Sequence, residues 1–174
     1  MNKFSYFRNI LLNISYLTCM FVLVQISGCY SFTGGSVPEH LKTLYIPSVN
    51  DKSGLGNPQY REQLMQMLID KFRSDGTFNL VERNGDARLS VSISSIKDET
   101  LTVNPGEMQK ENKITVLCQV EYYDAVKKAT IFNKNFTAFN IYSIANAQAE
   151  RNQSIEKAME QISDDILLGV VSGW

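Results

Sequence analysis

The sequence predicts an α+β fold, a two-layer sandwich in which two amphipathic helices cover one face of a mixed, mostly antiparallel sheet of four to five strands. Two segments, about 58–74 and 147–170, repeat apolar residues at three- and four-residue spacing, which is typical of helices with one buried face. Three other segments alternate apolar and polar residues, which is typical of strands with one buried and one solvated face. Elements of these two kinds bury their apolar faces against each other, and this predicts the sandwich.

The first strand is predicted within Leu41–Val49 and is followed by a polar, glycine-bearing loop. The first helix then begins with Asn57 as N-cap and Pro58 at the first helical position, where the missing N–H of proline is tolerated. Gly76 is placed to cap the other end of this helix. Its apolar face is predicted to contain Leu64, Met65, Leu68, Ile69 and Phe72.

A second short strand is predicted within Thr77–Arg83, and three longer strands follow as an antiparallel meander. A long tip at Lys97–Asn112 and a tight one at Asp124–Lys128 join the three strands. The C-terminal helix carries apolar residues at helical spacing and closes the fold. The inward residues of the meander are predicted to be Ala87, Leu89, Val91 and Ile93, then Ile114, Val116, Cys118, Val120 and Tyr122, then Phe132, Phe136 and Ala138.

The opposite face of the meander is predicted to be wet and polar, because Arg88, Ser90, Ser92 and Ser94 occupy the alternate positions of its first strand. Two interpretations stay open. The face is either plain solvated strand or a docking surface, in which hydroxyl and amide groups pair with a partner. Lysines at the hairpin tips could add charge to such a surface: Lys97, Lys110, Lys113, Lys127 and Lys128.

The N-terminus has the order of a secretory signal, with Lys3 and Arg8 before an apolar run from Ile10 to Ile26. A membrane-spanning helix needs roughly 17 to 25 residues, and this run lies at the lower limit and contains polar side chains. Its end, Ile26-Ser27-Gly28-Cys29, resembles the bacterial lipobox. We therefore expect a lipoprotein signal peptide at 1–28 and acylation of Cys29; an ordinary signal peptide or an uncleaved anchor is the alternative.

The segment after the lipobox contains Gly34, Gly35, Ser36 and Pro38, which predicts a flexible spacer over residues 29–40 between the lipid and a single domain at 41–174. Tyr30, in place of aspartate, follows the cysteine. By resemblance to enterobacterial sorting, this favours the periplasmic face of the outer membrane.

Composition excludes several classes of function. The net charge of −1 makes nucleic acid an unexpected partner, since phosphate binding needs a basic surplus. The chain has one histidine, His40, and lacks metal-ligand spacing, phosphate-binding glycine loops and nucleophile elbows. Cys118 is expected to be a buried thiol, and the Asp164-Asp165 pair a solvated helix face. We expect no enzyme activity, no metal and no cofactor.

The lipobox, the spacer and the segment Leu41–Val81 that follows resemble the LptE family of lipopolysaccharide-assembly lipoproteins. The alternating strand that begins at Ala87 and the terminal helix fit as well, so the resemblance runs from Cys29 to about Val170. It implies a non-catalytic outer-membrane lipoprotein that plugs an LptD-like β-barrel and assists lipopolysaccharide assembly. The candidate contacts with lipopolysaccharide rest on charge and loop position alone: Lys110, Lys113, Lys127 and Lys128.

An alternative family resemblance starts from the same strand-loop-helix opening. It is similar to the beginning of the TolB amino-terminal and CsgG periplasmic domains. This would make the chain an envelope lipoprotein of a secretion or assembly system.

Overall fold

A computed structural model describes residues 37–55, 57–101, 111–143 and 147–172, which belong to one compact unit, Gly34–Trp174. The predicted lipidation site Cys29 lies outside the described residues. The elements follow in the order β-β-α-β-β-β-β-α. They are β1 (Thr43–Tyr45), β2 (Asn50–Asp51), α1 (Pro58–Asp75), β3 (Asn79–Val81), β4 (Ala87–Thr100), β5 (Glu111–Asp124), β6 (Ala129–Ser143) and α2 (Ala147–Val171).

The strands form one mixed sheet in the order β3-β1-β4-β5-β6, and β2 also pairs with β4. β1 is parallel to β3 and β4, and β2 is parallel to β4. The pairs β4–β5 and β5–β6 are antiparallel. The mixed, mostly antiparallel sheet and the two helices confirm the predicted fold class. The sequence did not predict β2, because only Asn50 and Asp51 pair with β4 and the polar segment that contains them is typical of a loop.

The meander strands are longer than predicted. β4 continues to Thr100 and β5 begins at Glu111, so both ends of the predicted Lys97–Asn112 tip are paired strand. A register shift between Ile93 and Ser95 moves the alternation by one residue. Asp98 consequently lies on the helix side of the sheet.

The carboxylate of Asp98 joins β4 to β6 and α2. Its Oδ2 accepts hydrogen bonds from the Tyr142 hydroxyl at 2.7 Å and from Arg151 Nε at 3.0 Å. Its Oδ1 accepts from Asn112 Nδ2 at 3.1 Å. The end of β4, which the sequence predicts to be part of a charged loop, is therefore held against the rest of the fold by the Asp98 side chain.

Helix α1 begins and ends as its sequence predicts. The Asn57 side chain accepts a hydrogen bond from the Gln59 N–H at 3.0 Å. Gly76 has a left-handed φ of 73°, and its N–H donates to the Phe72 carbonyl. The buried residues of the helix are Tyr60, Leu64, Leu68 and Phe72.

Helix α2 packs on β5, β6 and α1, so both helices cover the same face of the sheet. Lys71 Nζ in α1 forms an ion pair with Asp164 Oδ1 in α2 at 2.6 Å, and Tyr60 Oη donates to Asn152 Oδ1 at 3.2 Å. Among the described residues no helix is long and apolar enough to span a membrane. The α2 side chains with no solvent exposure include Ile155, Met159, Ile162 and Ile166.

Truncation of an α2 core residue tests this packing. Ile162 is fully buried, so Ile162→Ala should lower the free energy of unfolding by about 2–5 kcal/mol, through lost burial and a residual cavity. Ile141→Ala is the matched control, because this isoleucine is 45% exposed on the other face of the sheet. Urea denaturation measures both variants, and equal losses would contradict the assignment of faces.

Candidate functional site

The sheet face opposite the helices is uncovered in the described part of the chain, and we call it the open face. Alternate residues of each meander strand belong to it, because their strand neighbours are buried under the helices. Its residues are Arg88, Ser90, Ser92, Ser95, Lys97 and Glu99 from β4, then Lys113, Thr115, Leu117, Gln119, Glu121 and Tyr123 from β5, then Asn133, Asn135, Thr137, Phe139 and Ile141 from β6.

The middle of the open face is polar. A recess of about 230 Å³ is lined there by Lys52, Ser90, Ser92, Gln119 and Asn133, among others. Gln119 Nε2 donates to Asn133 Oδ1 at 3.3 Å, and Ser92 Oγ is buried without a hydrogen-bond partner among the described residues. This part of the sheet therefore offers hydroxyl and amide groups to a partner.

One end of the open face combines a cation with exposed apolar side chains, and we call Lys113, Phe139 and Ile141 the distal patch. Lys113 lies opposite Ile141 in the β5–β6 register, and its Nζ is 4.5 Å from the centre of the Phe139 ring. Phe139 is 59% exposed and Ile141 is 45% exposed. Glu99 lies opposite Lys113 on the other neighbouring strand. The patch is amphipathic.

Phe139 and Ile141 are not among the contact residues that the sequence predicts. A signal was available, because both residues occupy positions of β6 at which the alternation predicts polar side chains. Large apolar residues in that phase indicate a surface that is not optimised for water alone.

The candidate lysines do not form one cluster. Lys113 belongs to the distal patch, whereas Lys127 and Lys128 are exposed in the turn between β5 and β6. One continuous strand runs from Lys113 to Asp124, and at roughly 3.3 Å per residue it separates the two groups by more than about 30 Å. Lys110 lies outside the described residues.

The end of the sheet at the β5–β6 turn is also where the described chain begins, and we call it the tether end. Val37 is partly buried against the core. His40 Nε2 is 2.6 Å from Asp124 Oδ2, and Asp124 Oδ1 accepts from the Lys127 N–H at 2.7 Å. Burial raises the pKa of Asp124, but these hydrogen bonds outweigh it and hold the pKa below its usual value. Contacts with the domain thus begin before the predicted boundary at residue 41.

A second aspartate holds β1 to the start of β4. Asp86 Oδ2 accepts from Thr43 Oγ1 at 2.8 Å, from the Thr43 N–H at 3.0 Å and from the Lys42 N–H at 3.2 Å. The Thr43 side-chain bond, followed by the two backbone bonds, lowers the pKa of this carboxyl.

Reactive groups in the described ranges are buried or dispersed. Burial, with the nearby charge of Asp51, raises the pKa of Cys118 to about 12, so the thiol packs as a small apolar group. Burial also raises the pKa of the Tyr122 hydroxyl. Over residues 37–55, 57–101, 111–143 and 147–172, no three His, Cys, Asp or Glu side chains are placed to hold a metal ion. The open face is therefore the candidate site.

Solved structures with the same architecture define the class of protein, a two-layer α+β domain. A protein from Xanthomonas campestris is 13% identical and has a TM-score of 0.58, covering 83% of this chain and 90% of its own. Lipoprotein B from Nitrosomonas europaea is 15% identical with a TM-score of 0.54, covering 82% and 90%. Rare lipoprotein B from Shewanella oneidensis is 16% identical with a TM-score of 0.51, covering 74% and 92%. At these identities the likeness shows the fold.

The family is shown by sequence. The model of the LptE family, described as lipopolysaccharide-assembly, matches residues 41–168, which is more than half of the 174 residues. The chain belongs to the LptE family of lipopolysaccharide-assembly lipoproteins, and the predicted resemblance is confirmed. A comparison with curated proteins finds no match.

The Asp86 contacts generate a prediction of pH dependence. Because the folded-state pKa lies below the ordinary value of 3.8, the carboxylate stabilises the fold fully above that value, and this stabilisation is lost as pH falls through the folded-state pKa. Asp86→Asn should therefore lower the urea midpoint at about pH 7, and the difference from the wild type should shrink as the pH drops below 3.8. A difference that is constant over this range would contradict a role for the charge.

Proposed function

We propose that this protein is an outer-membrane lipoprotein, acylated at Cys29 and exposed to the periplasm, that plugs an LptD-like β-barrel and assists lipopolysaccharide assembly. The family match over residues 41–168 carries the proposal and favours it over a TolB- or CsgG-like secretion component. LptE proteins are non-enzymatic lipoproteins, and we extend this to the present chain. Its function would then be to bind other molecules through its surface.

The polar open face supports a role as a plug. The lumen of a large outer-membrane barrel is polar, so a polar plug satisfies hydrogen-bonding groups of the wall that an apolar one would leave unpaired. The hydroxyl and amide groups of Ser90, Ser92, Gln119 and Asn133 are suited to such contacts.

The distal patch supports direct contact with lipopolysaccharide. A phosphorylated glycolipid presents anionic groups next to acyl chains, and the patch presents Lys113 next to Phe139 and Ile141. The lysine would contact a phosphate and the apolar side chains would cover part of an acyl chain. Lys127 and Lys128, at the tether end, would attract the anionic groups of lipopolysaccharide through their charge alone.

Lipidation is the first test. The mature protein should begin at Cys29, carry acyl groups on that residue and sediment with outer-membrane fractions, because acylation alone is sufficient for a stable anchor when several chains are present. Mass spectrometry of the N-terminal peptide from native membranes measures this. An intact Met1 or a free Cys29 thiol in the mature protein would rule out the anchor.

Binding of lipopolysaccharide is the second test. Joint replacement of Lys110, Lys113, Lys127 and Lys128 by Gln should weaken binding at low salt, and the effect should diminish as salt is raised, because exposed charges are screened. Phe139→Ser with Ile141→Ser should weaken binding at every salt concentration, because apolar contacts are not screened.

Two double variants in the same binding assay show which pair of lysines contributes more to lipopolysaccharide binding. Lys110→Gln with Lys113→Gln removes as much charge as Lys127→Gln with Lys128→Gln, and Lys113 lies at the opposite end of β5 from the second pair. We expect the larger loss from the first pair. Wild-type binding by the quadruple variant at low salt would mean that the lysines are solvated surface residues.

The barrel partner is the third test. A plugged barrel buries an obligate interface, which exceeds roughly 2,000 Å², so the complex should survive purification from membranes in mild detergent. It should also survive Cys29→Ala, because the tether raises only the effective concentration. Identification of proteins that co-elute with the tagged chain checks both expectations. Recovery of a secretion pore instead of a large barrel would favour the alternative family.

A further inference from the structure

A recess at the tether end of the open face is separate from the distal patch and from the polar middle. It has a volume of about 280 Å³. It lies where β1, the turn before β4 and the end of β5 meet. Its lining includes two arginines and two tyrosines: Tyr45, Arg83, Arg88 and Tyr123.

The register of three neighbouring strands places Arg88 between the two tyrosines. Tyr45 lies opposite Arg88 in the β1–β4 pairing, and Tyr123 lies opposite Arg88 in the β4–β5 pairing. The guanidinium carbon of Arg88 is 4.8 Å from the centre of the Tyr123 ring. This stacking restrains the guanidinium before any ligand arrives.

The Arg88 guanidinium has N–H donors that lack an acceptor among the described residues. Its Nε is buried without a hydrogen-bond partner among the described residues. Its nearest carboxylate oxygen, on Glu121, is 3.9 Å from Nη2, which is beyond hydrogen-bond distance. The side chain is 44% exposed, and a guanidinium keeps its charge and its five N–H donors at any physiological pH.

The second arginine is brought to the recess by a tight turn. Asn84 has a left-handed φ of 53°, and Gly85 passes so close to β1 that a Cβ there would lie 2.7 Å from the Tyr45 backbone nitrogen. Arg83 precedes this turn and makes no ion pair among the described residues. Two guanidinium groups therefore share one recess.

The acidic residues near the recess either accept hydrogen bonds from other residues or lie at the margin of the recess. Asp86 accepts three hydrogen bonds from Thr43 and Lys42, and Asp124 accepts from His40 and Lys127. Glu121 forms an ion pair with Arg88 at an N···O distance of 3.9 Å, which is too long for a hydrogen bond, and Glu82 is exposed. The recess consequently favours an anion.

The covalent chain limits how far this recess is from the predicted acylated cysteine. Successive residues span at most about 3.3–3.6 Å each, so Cys29 is within roughly 29 Å of Val37, which is packed against the core. The tether end would therefore be held within reach of the headgroups of the leaflet that holds the lipid.

We propose that the recess formed by Tyr45, Arg83, Arg88 and Tyr123 binds the phosphate of an anionic phospholipid headgroup and so orients the domain on its own membrane. Guanidinium forks match phosphate oxygens with paired N–H donors, and tyrosine hydroxyls donate as well. A zwitterionic choline headgroup fits less well, because the two arginines repel its ammonium and Arg88 already occupies the face of Tyr123. The orienting role rests on the proposed lipid anchor, whereas binding itself does not.

The test measures lipid adducts on the protein purified from its own membranes, in neutral detergent, by mass spectrometry that preserves non-covalent complexes. We expect phosphatidylglycerol to bind about tenfold more tightly than phosphatidylcholine, because both lipids carry the phosphate but only phosphatidylcholine carries an ammonium that the arginines repel. Arg83→Gln with Arg88→Gln should abolish this preference. Arg61→Gln with Lys157→Gln removes two exposed charges from the helix layer, outside the recess, and should preserve the preference.

Three outcomes would overturn the proposal. Equal affinity for the two lipids would rule out recognition of the headgroup. Equal losses in the recess variant and the control variant would show that the effect depends on general charge alone. Glycerol 3-phosphate that competes as well as the lipid would make the ligand a soluble phosphate ester. Unchanged urea midpoints show that the variants remain folded. The assay contains neither barrel nor lipopolysaccharide, so its failure and failure of the proposed function are distinguishable.

Discussion

Burial of a single face of the β4–β5–β6 meander is the constraint on which the rest of the molecule depends. Strand alternation sends one set of side chains into the layer shared with α1 and α2, and these side chains form the core. The complementary set has no helix to cover it in the described structure. The same strand alternation thus produces both the buried core and the uncovered sheet face of the domain.

Polar contacts fix the ends of this arrangement. At the far end, Asp98 connects β4 to Tyr142 and Arg151, so the start of α2 is held against the sheet. At the tether end, Asp86 holds β1, and Asp124 binds His40 where the described chain begins. Because each carboxylate gathers several donors, the long strands are secured at both ends and the open face keeps a defined shape.

Much of the fold follows from the sequence because its signals are local. The caps at Asn57 and Gly76 and the alternation in β4 and β5 predict elements that the structure confirms. The features that could not be predicted from the sequence depend on pairing between strands that are distant in the chain. The β2 pairing, the register shift between Ile93 and Ser95 and the extension of β4 to Thr100 depend on partners distant in the chain. The charged end of β4 resembles a loop until its partners on β6 and α2 are known.

The surface is less predictable for the same reason. Position in the sequence identified Lys113 as a candidate, but its neighbour Phe139 becomes relevant only through the β5–β6 register. The two arginines of the tether-end recess come together because Gly85 permits a close turn against β1. Charge and exposure can be estimated residue by residue, whereas a site depends on which strands are adjacent.

Photocrosslinking in native membranes tests the central claim, that the open face is the docking surface. A photoreactive amino acid at Asn135 or Thr137, on the open face, should crosslink to a large outer-membrane barrel. The same group at Leu168, 59% exposed on α2, serves as the comparison and should crosslink less. Efficient barrel crosslinks from Leu168 with none from either sheet position would contradict the account.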